Sequence, residues 1–156
     1  MDWRIFTSEL VFRFEGLEAV LRLPATEEIL EKCRTQLHLR ALPKQLEDLY
    51  RQSDGIDETL NGEKIGTLVW VVENVIQENI WHRQRMEVGK SRTDFGDLLM
   101  FADAGNGDLF AFVLSKEGTP PGEVIYVWNH EDDSITDVAP DLKTFLEGWV
   151  SGRISV

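Results

Sequence analysis

The stretch Asp103-Ala104-Gly105-Asn106-Gly107-Asp108 places oxygen-bearing side chains and glycines side by side between two apolar runs. Such residues could hold a cation, cradle a phosphate or turn a chain. A calcium loop of the EF-hand type needs oxygen side chains at alternate positions and a bidentate acid at its end. Counted from Asp103, the alternate positions fall on Gly105 and Gly107, and that frame fails. A looser cation site from Asp103, Asn106 and Asp108 stays open. A phosphate loop needs N–H groups aimed at the anion, usually at a helix start with a lysine following. Here the loop is acidic and a strand pattern follows. The turn fits best, because Asn-Gly between apolar runs is the strongest short hairpin signal. Gly105 and Gly107 supply positive φ without steric cost. A hairpin tip can still meet a partner.

Other candidates are fewer. His130, in Trp128-Asn129-His130-Glu131 at a strand exit, has the chemistry of a general base oriented by an acid. No nucleophile lies near it in sequence, and a structural hydrogen bond is the preferred role. His82 follows Glu78 by one helical turn and reads as a solvated pair. His38 follows a helix and reads as a surface residue. Cys33 has no second cysteine to pair with, and its expected place is the buried side of a helix. No G-x-S-x-G, no S-x-x-K and no cysteine with a plausible base is present. A pair of acids assembled from distant positions stays open, since sequence gives no way to select one.

The elements that must position these residues follow from periodicity. Trp3, Phe6, Leu10, Phe14 and Leu17 recur at helical spacing and predict a helix around 2–15, although VFRF at 11–14 also alternates like a strand. Thr26-Glu27-Glu28 opens a helix with a capping hydroxyl and acids at the positive end of the dipole. Ile29, Leu30, Cys33 and Leu37 form its inner side. Leu42-Pro43 opens the next helix, with Leu46, Leu49 and Tyr50 inward and a left-handed stop at Gly55. Residues 56–66 read as turn-rich. Residues 67–72 read as a strand and 73–86 as a helix, followed by a polar loop from Glu87 to Asp94. Strands are expected near 97–102, 108–115, 123–128 and 135–138, with turns at Pro120-Pro121-Gly122 and at 129–134. Pro140 starts a last helix with Leu142, Phe145, Leu146 and Trp149 on one face, and Gly152 ends it. This order predicts an α+β fold: N-terminal helices, a central largely antiparallel sheet with an inserted helix, and a closing C-terminal helix. The middle strands are apolar on both faces, so both sides should be covered.

The chain has 156 residues, which suits one domain over 1–156. Its 28 acids exceed its 16 Lys and Arg by 12. That balance disfavours direct nucleic-acid binding, because phosphates are repelled. It suits solubility or a basic partner. The first residues lack a basic leader followed by an apolar run, and no stretch is long enough to span a membrane. A cytoplasmic location without membrane contact is expected.

The helix Leu42-Pro43-Lys44-Gln45-Leu46-Glu47-Asp48-Leu49-Tyr50, ending in Ser53-Asp54-Gly55, resembles the LP-to-DG helix of the SUKH superfamily. FGDLLMFADAGNGDLFAF at 95–112 is similar to that superfamily's central block. Val127-Trp128-Asn129-His130-Glu131 resembles its next strand, and Phe145-Leu146-Glu147-Gly148-Trp149 its closing helix. The resemblance runs from about Pro24 to Trp149 and is less clear over Met1–Leu23. The superfamily includes a fungal cell-wall-assembly regulator and many bacterial toxin-immunity proteins. The resemblance implies a non-catalytic protein-binding domain without cofactor or metal. Its leading expectation is an antidote to a basic toxin domain, often a nuclease. The alternative is a regulatory or scaffold domain that binds an endogenous host protein, and a small hydrolase using His130 is a third reading. The expected partner-binding residues are exposed ones near the turns: Asp54, Asp103, Asn106, Asp108, His130, Glu131 and Asp132. Oligomeric state is left open.

Overall fold

The computed structural model describes residues 1–87, 89, 93–120 and 122–156. Much of the expected Glu87–Asp94 loop, and Pro121 of the expected proline turn, lie outside the described residues. The chain runs α1 (Trp3–Ser8), β1 (Leu17–Leu21), α2 (Glu27–Leu37), α3 (Lys44–Gln52), β2 (Ile56–Leu60), β3 (Glu63–Val69) and α4 (Val72–Glu87). A 3₁₀ turn (Phe95–Asp97) then leads to β4 (Leu98–Asp103), β5 (Leu109–Val113), β6 (Ile125–Trp128), β7 (Ile135–Ala139) and α5 (Leu142–Ser151). The fold is α+β. The strands form two antiparallel sheets, ordered β1-β2-β3 and β4-β5-β6-β7.

The helices start where their caps put them. The Thr26 hydroxyl accepts the Ile29 N–H at 3.2 Å, and Asp141 accepts that of Thr144 at 2.8 Å. Leu30, Cys33 and Leu37 of α2 are buried, as are Leu142, Phe145 and Leu146 of α5. Gly152, at φ +81°, closes α5. α3 stops earlier than the sequence suggests, at Gln52, and the extended Ser53 caps it. Gly55 does take φ +86°, for a different reason. A Cβ there would lie 2.7 Å from the Val69 carbonyl oxygen.

Two expectations fail in the N-terminal half. The helix expected over 2–15 ends at Ser8, and the chain returns as β1. The helical spacing was carried by Trp3 and Phe6, which are buried edge to face at 5.2 Å. Phe14 is exposed, and Leu17 belongs to the strand. Residues 56–66 are chiefly a hairpin, turning at Asn61 and Gly62 with φ of 51° and 85°. Register shifts between β2 and β3 break the alternation that would have marked these strands.

The two sheets meet where β3 ends. The Trp70 N–H donates to the Phe101 carbonyl at 2.9 Å. Next to it, Asn79 reaches from the buried face of α4. Its amide nitrogen donates to the carbonyls of Val75 (2.7 Å) and Met100 (2.9 Å). Its oxygen accepts the Met100 N–H at 2.9 Å. Both backbone groups of Met100 are thereby satisfied along the outer side of β4. β4 and β5 are buried nearly throughout, as their two-faced apolar sequence requires. Phe101, Phe110, Phe112, Phe145 and Trp149 pack as a ring cluster beneath α5. Trp149 itself is only partly buried.

Candidate partner-binding site

The β4–β5 and β6–β7 turns lie side by side, and Asp108 joins them. Its Oδ1 accepts the His130 backbone N–H at 3.1 Å and lies 2.6 Å from His130 Nδ1. A carboxylate can only accept, so Nδ1 carries the hydrogen. Asp108 is 4% exposed, which corrects the expectation that it is a surface acid. Burial pushes its pKa up. The His130 ring, backbone N–H and charge push it down further, and the net direction is down. The His130 ring lies against Gly107, where a Cβ would come within 2.9 Å of it.

Each turn is also fixed from within. Asp103 Oδ1 accepts the Gly105 N–H at 3.0 Å, and its Oδ2 accepts the Trp70 indole N–H at 2.9 Å. Asn106 Oδ1 accepts the Asp108 N–H at 2.9 Å. In the other turn, Asn129 Oδ1 accepts the Glu131 N–H at 2.8 Å, and Asp132 Oδ1 accepts that of Ser134 at 2.9 Å. The hydrogen bonds from Ser134 lower the pKa of Asp132. Asp133 Oδ1 accepts the Trp128 indole N–H at 2.9 Å and the Thr93 hydroxyl at 3.0 Å. Asn106, His130, Glu131 and Asp132 remain exposed.

Asp54 does a different job. Its Oδ1 accepts the Val72 N–H at 2.8 Å and so caps α4 from a distant part of the chain. Nothing in the local pattern announces this, because the cap and its helix are 18 residues apart. The turn at 129–134 was expected, but not that the side chains of Asn129 and Asp133 organise it. An asparagine and an aspartate flanking three turn residues were the available signal.

The carboxylate and amide oxygens of Asp103, Asn106 and Asp108 face N–H groups, and among the described residues no group of three or more His, Cys, Asp and Glu is placed to hold a metal ion. His82 is not a solvated pair with Glu78. It is 5% exposed, 4.0 Å from the Glu78 carboxylate, and packed against Trp81, Phe95 and Trp128. Burial, helped by the charge of Arg85, pushes its pKa down to about 4, so it is neutral at pH 7. Cys33 is fully buried, and burial pushes its thiol up to about 11, so it is no nucleophile. His130 has an orienting carboxylate, but Asp108 is its only side-chain hydrogen-bond partner among the described residues.

The helix from Leu42, the acid-and-glycine turn and the closing helix thus stand in the order expected from the sequence. A family model described as SMI1 / KNR4 family (SUKH-1) matches residues 24–148. The chain belongs to this family. No curated protein matches the sequence. SUKH-1 domains include immunity proteins and regulators and act through protein–protein contacts. The matched span leaves out α1 and all of β1, where one of the two failed element readings falls. Among the described residues, no helix of this SUKH-1 chain is long and apolar enough to cross a membrane.

Proposed function

We propose that this SUKH-1 chain works without catalysis, as a cytoplasmic immunity protein of one domain over 1–156. It would bind and neutralise a basic toxin domain, with a nuclease as the fitting class. The observation behind the reading is the braced pair of turns. Asn106, His130, Glu131 and Asp132 are presented on backbone held by side-chain bonds, so little conformational entropy is lost on binding. Asp103 and Asp108 support that surface from beneath, and Asp54 supports it more remotely by capping α4. A nuclease must carry positive charge to hold phosphates, and a chain of net charge -12 attracts it.

The test is co-expression with the toxin encoded beside the gene, followed by a binding measurement. Wild type should rescue growth. The Glu131→Lys/Asp132→Lys variant should bind at least about tenfold more weakly, mainly through a slower on-rate. Rescue and affinity unchanged by the double reversal would remove this face. Absence of rescue by wild type against every neighbouring toxin would remove the immunity reading. A stable endogenous host protein in a pull-down would then favour the regulatory one.

A further inference from the structure

β1 is the outer strand of its sheet and pairs with β2 alone. Among the described residues, no turn, loop or cap hydrogen bond reaches the backbone of Leu17–Leu21. A groove of about 900 Å³ runs along the strand, lined by every residue from Leu17 to Leu23 and by Arg4, Thr7 and Ser8 of α1. None of the residues of the turn pair lines it. An open edge of this kind is a template for another strand.

We propose that the occupant of this edge is β1 of a second copy of the chain. The strand and its continuation read Leu17-Glu18-Ala19-Val20-Leu21-Arg22-Leu23. Antiparallel pairing about a two-fold axis at Val20 sets Glu18 opposite Arg22, Ala19 opposite Leu21 and Val20 opposite itself. Every opposed pair is then either apolar with apolar or acid with base. Shifting the axis to Ala19 would set Glu18 against Val20 and lose both ion pairs. The register is therefore specified by the sequence.

The side chains are placed for this. Glu18 and Val20 are exposed, and Val20 is 39% exposed despite being apolar. Glu18 has no salt bridge among the described residues. Arg22 holds Asp57 through Nη1 at 3.1 Å, and its side chain is still 42% exposed. Its other N–H groups can meet a carboxylate from the second copy. The outer strand β7 makes the contrast. Paired with itself about its middle residue it would oppose Asp137 to Asp137, which repels. The -12 charge of each copy opposes approach at long range. The β1 contact must therefore come from short-range complementarity, which makes charge reversal there a sharp test.

Sedimentation velocity of the full chain over micromolar to millimolar concentration should show a reversible monomer–dimer equilibrium. Glu18→Arg sets two pairs of like charges opposite each other and should weaken the dimer on the order of tenfold. Arg22→Glu should do the same, and the Glu18→Arg/Arg22→Glu double variant should recover association. Circular dichroism melts keep loss of folding separate from loss of pairing. Arg22→Glu also removes the Asp57 contact, so Glu18→Arg is the cleaner change. Monomer at every concentration would overturn the proposal, including when a foreign protein protects the Leu17–Leu21 amides from exchange. A dimer indifferent to Glu18→Arg would overturn it as well. Toxin neutralisation stands or falls separately, since neither Glu18 nor Arg22 belongs to the turn surface.

Discussion

On the outer side of β4, Asn79 bonds both backbone groups of Met100 and the Trp70 N–H bonds the Phe101 carbonyl. On the outer side of β1 no such cover is present among the described residues. The two hairpin turns differ in the same way. Both sheets turn a hairpin at an Asn-Gly pair. A Cβ added to Gly62 would meet nothing within 4 Å, whereas one added to Gly107 would press on the His130 ring. The β4 edge of the four-stranded sheet is thus covered by groups from elsewhere in the chain, and the β1 edge of the three-stranded sheet is left open. An unpaired strand edge is a liability unless a protein uses it. The covered edge therefore belongs to stability and the open one to association.

The largest test of this contrast is Asn79→Leu. The leucine keeps volume on the buried face of α4 and removes all three side-chain bonds. The Met100 N–H and carbonyl are left buried without those partners. The expected cost is about 2–4 kcal/mol, measured by urea unfolding. A loss below about 1 kcal/mol would mean that the β4 edge does not depend on Asn79. The contrast between the sheets would then lose its basis.

The turns give a smaller effect and a sharper one, because the same substitution can be made twice. Valine at Gly62 or Gly107 must adopt φ of +85° or +105°, which a β-branched residue resists. That strain alone is worth about 1–3 kcal/mol at either position. Gly107→Val should fall at the high end or beyond, because the added side chain also displaces His130. Gly62→Val should fall at the low end. Equal losses in thermal melts would show that His130 moves away freely and that the two turns are alike.

The legible parts of this protein are those whose partners are near in sequence. The cap at Thr26, the inner faces of α2, α3 and α5, and the hairpin at Gly105–Gly107 each depend on residues within a few positions, whereas the last helix starts two residues after the expected Pro140, capped by Asp141. The α1–β1 segment was misread because Trp3 and Phe6 set a helical rhythm that Leu17 continued by chance. The β2–β3 hairpin was misread because bulges and a solvent-facing side left it polar, although Asn61-Gly62 carried the same turn signal as Asn106-Gly107. At the site, the glycine turn could be read directly. The joining of Asp108 to His130 could not, because 22 residues separate them and only the β5–β6 pairing brings them together. Asp54 and His82 show the same limit. One caps a helix far along the chain, and the other is buried by Phe95 and Trp128.

The smallest predicted effect is a dependence on pH, and its sign separates two roles for Asp108. Its pKa is lowered in the folded chain, so it favours folding when ionised. That contribution is complete above the unfolded carboxylate value of about 3.9 and is lost as pH falls through the folded value. Two causes act against each other here: burial raises the pKa, and the His130 ring, backbone N–H and charge together with the Asn106 bond lower it by more. His130→Ala removes the ring and its charge but keeps the backbone N–H. Asp108 would then be lowered less, and its ionisation would favour folding less than in wild type. As pH falls through the carboxylate range, acidification should therefore weaken wild type more than the variant. Differential unfolding from pH 7 downward reads this as a gap that narrows, because the wild type loses stability that the variant never had. A gap constant with pH would mean that His130 only fills space over Gly107, and that the clasp between the two turns is one of packing rather than charge.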